Sequence, residues 1–229
     1  MRLKALLECA SRRCQTVYIL GDLFDQWLGD DEDSPPYLEA ESVLAALSDS
    51  GTEVFVQRGN HDFLIGEDLE QRIGATLMPE TMVIDLDGIT TVLTHGDGLC
   101  TDDREFQAFR AYALNRENQR WFLSLTREER AIMADKLRLR SAALKTLKAN
   151  EIMDVNPDAV RTVLATHNGC RLIHGHTHRP AVHRVESTGR PAAERVVLGD
   201  WYEEGVVALH RDGQLTLLSV TEAEKMLRR

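Results

Sequence analysis

The sequence predicts a mixed α/β sandwich with a helical insertion, and three observations support this fold class. Short apolar runs without alternation, typical of strands buried on both faces, are interleaved with helical patterns in the first half of the chain. Alternating strand patterns separated by turn residues follow residue 180. Between them, about residues 104–150 keep a helical pattern without glycine or proline. The chain is therefore predicted to form a single domain, residues 1–229, that carries this insertion.

The first elements predict a β-α-β unit. Residues 2–11 have apolar side chains at helical spacing, and residues 16–20 form a short apolar run that predicts a buried strand. A helix over residues 37–47 and a strand over residues 53–57 follow. Because a right-handed crossover makes the two strands parallel, the loops after both are expected at the same sheet edge. The acidic loop of residues 30–33 between them is expected to be a solvated rim.

The later elements complete the sandwich. Residues 67–73 predict a short helix, residues 82–94 a hairpin, and residues 158–167 a helix that leads into a strand over residues 171–174. The insertion predicts two or three helices. The runs after residue 180 predict antiparallel strands over residues 181–186, 195–198, 205–210 and 215–220.

Polar side chains follow three of the predicted strands. Asp22 follows the first strand, Asn60 and His61 follow the second, and His95 follows the hairpin. Open α/β sheets hold their ligands at the carboxyl ends of the strands, so these residues are candidates for one site. Taken alone, Asp22 also fits a helix cap or an Asx turn, which is the commoner role of a single aspartate after a strand.

The segment from Leu172 to Pro180 contains three histidines at a spacing of two, His174, His176 and His178. In an extended loop all three would project to one side, as the ligands of a metal site do. The alternative is a strand end with titratable surface histidines. Other parts of the chain must decide between these two alternatives.

The candidate ligands are oxygen and imidazole donors without a thiolate, a set that suits Mn²⁺, Fe²⁺ or Zn²⁺. A carboxylate can bridge two such metals about 3.5–4 Å apart, the arrangement used for in-line displacement at phosphorus. Metal-bound histidines also need a hydrogen-bond partner on the other ring nitrogen, for which Asp25 and Asp97 are candidates. The candidate ligand set is Asp22, Asn60, His95, His176 and His178.

The charge of the chain is uneven. A formal net charge of −10 argues against a general nucleic-acid binder, yet residues 110–148 contain ten Lys or Arg and four Asp or Glu. This segment is either an amphipathic helical hairpin packed on the body or a lid that accepts acyl chains and faces phosphate or an anionic membrane surface. Four cysteines without a C-x-x-C pair indicate reduced thiols in a cytoplasmic protein. No apolar run approaches about 18 residues, so we expect any membrane contact to be peripheral.

Four sequence blocks, in order, resemble the motifs of the calcineurin-like metallophosphoesterases. They are Gly21-Asp22-x-x-Asp25, Gly59-Asn60-His61-Asp62, His95-Gly96-Asp97 and Gly175-His176-x-His178. Residues 19–24, 100–103, 107–110, 152–156 and 173–183 further resemble the branch of this family that hydrolyses UDP-2,3-diacylglucosamine in lipid A biosynthesis. The resemblance covers nearly the whole chain and implies an αββα sandwich.

The resemblance implies water attack on the α-phosphorus of UDP-2,3-diacylglucosamine, which gives UMP and 2,3-diacylglucosamine 1-phosphate (lipid X). It also implies a two-metal Mn²⁺ site and a peripheral position on the cytoplasmic face of the inner membrane. Two other hypotheses stay open. One is a phosphoesterase of the same fold that acts on other nucleotides or phosphodiesters, and the other is a non-catalytic binder of lipid or nucleotide.

The resemblance also implies roles for individual residues. Asp22 would bridge the two metals, and His178 would bind only the second. The first metal site would be completed by Asn60, His95 and His176. The residues implied to face the substrate phosphate and act in catalysis are Asn60, His61 and His176. The implied substrate-binding set consists of these three residues and Asp103, Ser141, Lys145 and Lys148.

Two positions depart from the family pattern. His61 stands where this branch usually has arginine, whereas histidine is typical of the wider family, in which it stabilises or protonates near the leaving group. The family also has a first strand that ends in Asp-x-His, but this sequence has no aspartate before Asp22 and no histidine before His61. A strand of about six residues, a loop and the start of a helix would be roughly twenty further residues. Three explanations compete, namely a start codon assigned too late, a truncated form of the protein and a degenerate protein, and we favour the first. The second metal site is then incomplete, and the 229-residue chain is expected to be unstable or inactive.

Overall fold

The first sheet is parallel and contains β1 (Thr16–Leu20), β2 (Glu53–Gln57) and β3 (Thr76–Leu77), in that order. The computed structural model describes residues 2–11, 13–145, 152–186, 189, 191–201 and 205–228. Leu20 lies opposite Gln57 in the register. The strands β1 and β2 therefore end at the same edge, as the β-α-β prediction requires.

The second sheet is mixed, and its strands are β4 (Thr81–Leu86), β5 (Ile89–Thr94), β6 (Arg171–His174), β7 (Ala181–Val185) and β8 (Ala193–Val197). The spatial order is β4-β5-β6-β8-β7, with β5, β6 and β8 parallel and the two edge strands antiparallel to them. The prediction of only antiparallel strands after residue 180 is wrong for β8, because the chain returns from the edge strand β7 to pair beside β6. The last hairpin, β9 (Val206–Arg211) and β10 (Gln214–Ser219), is antiparallel as predicted.

The helices mostly match the predicted ranges. They are α1 (Arg2–Ala10), α2 (Pro35–Asp49), α3 (Glu67–Ile73), α4 (Arg104–Leu114), α5 (Arg116–Leu123), α6 (Arg127–Lys145), α7 (Pro157–Thr166) and α8 (Val220–Leu227). The helix α2 begins two residues earlier than predicted, because its two prolines occupy first-turn positions where no N–H is needed. The helix α8 is absent from the sequence prediction, although Ser219 and Glu222 form a capping box at its start.

Three apolar clusters form the core between the helices and the two sheets. Leu44 of α2 and Val56 of β2 are fully buried in a cluster that covers the outer face of the first sheet with α1, α2, α3 and α8. Leu164 of α7 belongs to a cluster on the second sheet. Leu20 of β1 and Ile173 of β6 share the third cluster, which lies between the two sheets. The architecture is the αββα sandwich that the family resemblance implies.

The acidic loop of residues 30–33 is not the solvated rim that the sequence predicts. The Asp30 carboxylate accepts hydrogen bonds from the backbone N–H groups of Gly66 and Leu69, each 3.0 Å long. Asp30 thereby caps the N-terminus of α3 from a distant loop, where a negative charge is favourable. This contact joins residues 36 positions apart, so no local pattern predicts it.

The helix α6 is anchored to the same loop by two arginines. Arg127 forms ion pairs with Glu32 at 2.8 Å and Asp33 at 2.6 Å, at the exposed start of the helix. One turn later, Arg130 is 3% exposed and forms a bidentate pair with Asp31. The loop is therefore a docking point for the helical insertion.

Several apolar side chains of the insertion face solvent. A helical hairpin packed fully on the body would bury them. They include Tyr112, Trp121, Leu123, Ile132, Leu137 and Leu139. None of the helices within the described ranges combines the length and the apolar character that a membrane crossing requires. The division into one domain with a lid at about residues 104–150 stays a prediction.

Candidate metal centre

Four strand ends bring the candidate ligands together. Asp22 follows β1 and Asn60 follows β2, at the shared edge of the first sheet. His95 follows β5 and His176 follows β6, and these two strands are also parallel neighbours. Because the sheets pack face to face, the carboxyl ends of all four strands meet at one end of the sandwich.

The four side chains form one compact group, which we call the ligand cluster. Asp22, His95 and His176 each place a ligand atom within 4.8 Å of the other two. Asn60 Oδ1 lies 2.6 Å from His176 Nδ1 and 3.1 Å from His95 Nε2. Asp22 Oδ2 lies 3.5 Å from His95 Nε2. Four of the five candidate ligands are therefore adjacent.

The tautomer of His95 indicates that the cluster suits a cation. Its Nδ1 lies 2.7 Å from the Leu20 carbonyl oxygen, which only accepts, so Nδ1 carries the hydrogen. In the neutral ring, Nε2 then presents a lone pair to the oxygens of Asn60 and Asp22, which also present lone pairs. A divalent cation among these atoms relieves the repulsion, and oxygen and imidazole donors are a set that Mn²⁺, Fe²⁺ and Zn²⁺ accept. The partner that orients His95 is a backbone carbonyl, so the assignment of Asp25 or Asp97 to this role is wrong for His95.

His176 is neutral near pH 7, as a metal ligand must be. Burial and the neighbouring His95 lower the pKa of His176 to about 4. The Phe106 ring stacks on the imidazole with the ring centroids 5.5 Å apart. The side chain is therefore held in place by packing on one side and by the ligand cluster on the other.

Asp62 ties the loops after β1 and β2 together, and the sequence analysis did not select it. Its fully buried carboxylate accepts hydrogen bonds from the backbone N–H groups of Gly59 at 2.6 Å, Asp22 at 3.2 Å and Phe24 at 3.3 Å. Burial and the charge of Asp22 raise the pKa of Asp62 to about 6. A side chain at Gly59 would collide with the Asp22 carboxylate, so the two loops approach this closely only with glycine there. The Gly59-to-Asp62 motif marks the position, but only the structure shows that this carboxylate points inward.

The histidine run is not extended, which corrects the period-two interpretation. His176 and His178 have φ angles of 62° and 54°, in the left-handed region that non-glycine residues rarely adopt. His174 ends β6 in the core, and burial lowers its pKa to about 4. Asp22 also has a positive φ, of 52°. Backbone strain of this kind concentrates at functional sites, where the fold holds a side chain in one direction.

Comparisons with known proteins agree with this geometry. Residues 2–180 match the sequence model of the calcineurin-like phosphoesterase family. The chain belongs to this family. The chain is similar to proteins named UDP-2,3-diacylglucosamine hydrolase. The one in Marinobacter nauticus is 47% identical over 189 residues, which are 82% of this chain and 77% of the relative. The one in Cellvibrio japonicus is 48% identical over 199 residues, which are 87% of this chain and 82% of the relative. The protein of that name in Chromohalobacter salexigens is 45% identical over 195 residues, 85% of this chain and 79% of the relative.

The fifth candidate ligand of this phosphoesterase is His178. Its Nδ1 is 3.9 Å from Asp200 Oδ2, and its side chain is partly exposed. Within the described residues, the group of mutually close ligand atoms contains Asp22, His95 and His176 and does not include His178. Its assignment to a second metal stays a prediction.

His61 supports the ligand cluster through its backbone. Its N–H donates to Asp22 Oδ1 at 2.9 Å, which orients the carboxylate. The imidazole Nδ1 lies 2.8 Å from the Asp25 carbonyl oxygen, so Nδ1 carries the hydrogen and Nε2 faces away from that contact. The side chain is exposed.

The implied substrate-binding residues of the phosphoesterase have different surroundings. Asp103 is buried and caps α4 by accepting a hydrogen bond from the Phe106 N–H at 3.0 Å, which is a structural role. Ser141 is exposed on α6. Lys148 and the side chain of Lys145 lie outside the described residues. The roles of these four residues in substrate binding stay predictions.

Arg110 is a further residue near the cluster that the site analysis of the sequence did not select. Its Nε lies 2.6 Å from Asp97 Oδ2 and its Nη2 lies 2.6 Å from Glu80 Oε1. Burial raises the pKa of Asp97, but His95 and Arg110 lower it by more, so the pKa lies below its ordinary value. The partner of Asp97 is therefore Arg110, and the pair forms one wall of a cavity beside the ligand cluster.

Proposed function

We propose that this phosphoesterase hydrolyses the pyrophosphate bond of UDP-2,3-diacylglucosamine in lipid A biosynthesis. Water attacks the α-phosphorus, the bond from that phosphorus to the bridging oxygen breaks, and the products are UMP and 2,3-diacylglucosamine 1-phosphate. The observation that carries the proposal is the ligand cluster, found in a chain that shares 45–48% identity with proteins named UDP-2,3-diacylglucosamine hydrolase.

The proposed cofactor is Mn²⁺, held by Asp22, Asn60, His95 and His176, with His178 as a ligand of a second ion. When bound, such ions lower the pKa of water and stabilise negative charge on phosphoryl oxygens. The oxygen and imidazole donors of the cluster and the lone-pair conflict around His95 support this assignment. The choice of Mn²⁺ over Fe²⁺ and Zn²⁺ rests on the family resemblance.

The side chains around the cluster have separable roles in this proposal. The His61 N–H orients the Asp22 carboxylate, and Asp62 fixes the two loops relative to each other. Because the Nδ1 hydrogen of His61 is directed at the Asp25 carbonyl, Nε2 is the atom that faces the substrate. In the imidazolium form, Nε2–H donates to the leaving bridging oxygen and supplies its proton.

The helical insertion is proposed to receive the acyl chains and to contact the cytoplasmic face of the inner membrane. Its exposed apolar side chains, such as Trp121 and Leu139, provide the apolar contact. The ten Lys or Arg of residues 110–148 favour an anionic surface. Asp103, Ser141, Lys145 and Lys148 are the proposed contacts to the polar part of the substrate.

A substrate panel tests the reaction. UMP release is measured by chromatography with Mn²⁺ and one of three substrates: UDP-2,3-diacylglucosamine, UDP-glucose or a chromogenic phosphodiester. We expect hydrolysis of the acylated substrate well above the other two. His95→Ala should abolish it, whereas His210→Ala, which changes a histidine of the β9 strand, should not. Equal rates on all three substrates would contradict the lipid assignment and favour a general phosphoesterase.

The same panel is run on a chain extended at its N-terminus by an apolar strand that ends in Asp-x-His. This comparison separates a wrong substrate from the effect of the Asp-x-His ligands that the family resemblance implies. Full-rate hydrolysis by the 229-residue chain would contradict the expectation that it is inactive. Substrate binding without UMP release, by the original and the extended chain alike, would favour a non-catalytic binder.

A further inference from the structure

The loop after β5 carries His95 and then passes through Gly96 into a single 3₁₀ turn, Asp97–Leu99. Gly96 has a φ angle of 113°, in the region that residues with a side chain rarely adopt. A Cβ at this position would lie 2.8 Å from His174 Nδ1, so the close approach also requires glycine. Glycine leaves the backbone flexible, so a ligand beside it stays in place only if contacts from elsewhere hold the loop.

Gln107 of α4 supplies such contacts to the 3₁₀ turn. Its Nε2 donates to the carbonyl oxygen of Asp97, the first residue of the turn, at 2.8 Å. The same nitrogen donates to the carbonyl oxygen of Cys100, the residue after the turn, at 3.1 Å. Because both partners are acceptors, they fix which end of the amide is nitrogen. One amide group therefore spans the turn that directly follows His95.

Arg110, three residues later on α4, holds the side chain of Asp97. Its Nε lies 2.6 Å from Asp97 Oδ2, and its Nη2 lies 2.6 Å from Oε1 of the exposed Glu80. Asp97 Oδ1 accepts a hydrogen bond from the Gly98 N–H at 2.9 Å, so both oxygens of this buried carboxylate are engaged. The backbone and the side chain of Asp97 are thus both attached to α4.

The residues of α4 that make these contacts share one face of the helix with Phe106. Phe106 and Arg110 are four positions apart, and Gln107 lies between them, three positions before Arg110. Phe106 stacks on the ring of His176, while the other two hold the loop that carries His95. The first helix of the insertion is therefore docked on two of the candidate ligands.

We propose that Gln107 is a positioning residue of the metal centre. By holding the turn after His95, its amide keeps the His95 imidazole in the orientation that binds the cation. Groups that orient metal ligands contribute about 10–100-fold to metal affinity. Because coupling between two equilibria is reciprocal, the bound cation also stabilises the docked position of α4. The inference rests on the proposed function only through its metal site and does not depend on the substrate.

Mn²⁺ binding by variants of the full chain tests the proposal. Gln107→Met keeps the length and helix propensity of the side chain and removes the amide, without a change of charge near the cation. We expect the dissociation constant for Mn²⁺, measured by calorimetry and by the EPR signal of the free ion, to rise about tenfold. Gln119→Met on α5 is the matched control, because Gln119 Nε2 also donates to a backbone carbonyl, that of Ala113, at 2.9 Å. The control should bind Mn²⁺ as tightly as the unaltered chain.

Hydrogen exchange measures the same coupling from the side of the helix. Saturating Mn²⁺ should slow amide exchange in α4 of the unaltered chain about tenfold, the reciprocal of the effect of Gln107 on the metal. Exchange in α2, which packs on the outer face of the first sheet, should not change. In Gln107→Met the protection of α4 by Mn²⁺ should be lost, which a general loss of stability would not produce. If Gln107→Met does not fold, exchange on the unaltered chain decides the proposal.

The proposal has outcomes that overturn it. They are equal Mn²⁺ affinity of folded Gln107→Met and the unaltered chain, an equal loss of affinity in Gln107→Met and Gln119→Met, a lack of Mn²⁺ binding, and α4 exchange that Mn²⁺ does not slow. Mn²⁺ binding that depends on Gln107, in a chain that does not hydrolyse UDP-2,3-diacylglucosamine, would keep the positioning role and remove the reaction. Hydrolysis with unchanged Mn²⁺ affinity of Gln107→Met would keep the reaction and remove the positioning role.

Discussion

Arg130 is the buried one of the two arginines that join α6 to the acidic loop. Its side chain is 3% exposed, with Nη1 donating to the Leu28 carbonyl at 2.6 Å and to Asp31 Oδ1 at 2.8 Å, and Nη2 paired with Asp31 Oδ2. Arg130→Met keeps the apolar stem and removes the guanidinium. We expect α6 to detach more readily from the acidic loop.

The expected decrease in the free energy of unfolding of Arg130→Met follows from the contacts that each group loses. Asp31 is half exposed and returns to water, so its pair with Arg130 contributes only about 1 kcal/mol. The Leu28 carbonyl loses its donor, which costs about 1–3 kcal/mol. Arg130 Nε is buried and has no partner in the described residues, so its removal offsets about 1 kcal/mol. The net destabilisation is about 2 kcal/mol.

The assay is unfolding in urea, which is monitored by tryptophan fluorescence. Limited proteolysis is run in parallel and reports on cleavage within residues 104–145. The control is Arg127→Met, one turn earlier on the same helix and paired with Glu32 and Asp33 at the exposed surface. The control should show no measurable shift of the unfolding midpoint, because exposed ion pairs contribute little. If Arg130→Met and Arg127→Met had the same effect, burial would not be the reason for the importance of Arg130.

Further predictions test three parts of the molecule: the metal centre, a buried thiol and the core. His95→Ala should weaken Mn²⁺ binding by more than tenfold in calorimetry, because a ligand and the tautomer-fixing contact to Leu20 are both removed. Iodoacetamide at pH 8.5 should alkylate exposed Cys170 and leave Cys100 unmodified, because burial raises the pKa of Cys100 to about 12. Stability should fall as the pH rises from about 9 toward 12, since the unfolded Cys100 thiol ionises first. Leu44→Ala should cost about 3 kcal/mol in urea unfolding.

Each of these predictions has an outcome that contradicts it. Unchanged Mn²⁺ affinity of His95→Ala would remove the metal assignment of the cluster. Peptide mapping that finds Cys100 alkylated in the folded protein would show that the thiol is accessible. For Leu44→Ala, the control is Leu38→Ala on the same helix at 46% exposure, and equal effects of the two variants would contradict the assigned core.

Much of the fold follows from local sequence patterns. The strands Glu53–Gln57 and Arg171–His174 and the helix Glu67–Ile73 match the predicted ranges, because apolar periodicity and flanking turn residues act over a few positions. The residue order strand, helix, strand is enough to predict that β1 and β2 are parallel. With three polar loops at strand ends and the histidine run, the sequence alone also indicates where the ligand cluster lies.

The sequence by itself therefore determined the class of fold, the order of its elements and the residue types available for a metal. Only the tertiary structure decided which of those residues are adjacent and which way they point. His176 reaches the cluster through a left-handed backbone conformation, Asp30 caps a helix 36 residues away, and Arg130 pairs with Asp31 across 99 residues. The physical reason is the range of the interactions. Periodicity and propensity act between near neighbours, whereas these contacts exist only after the sheets and helices have packed.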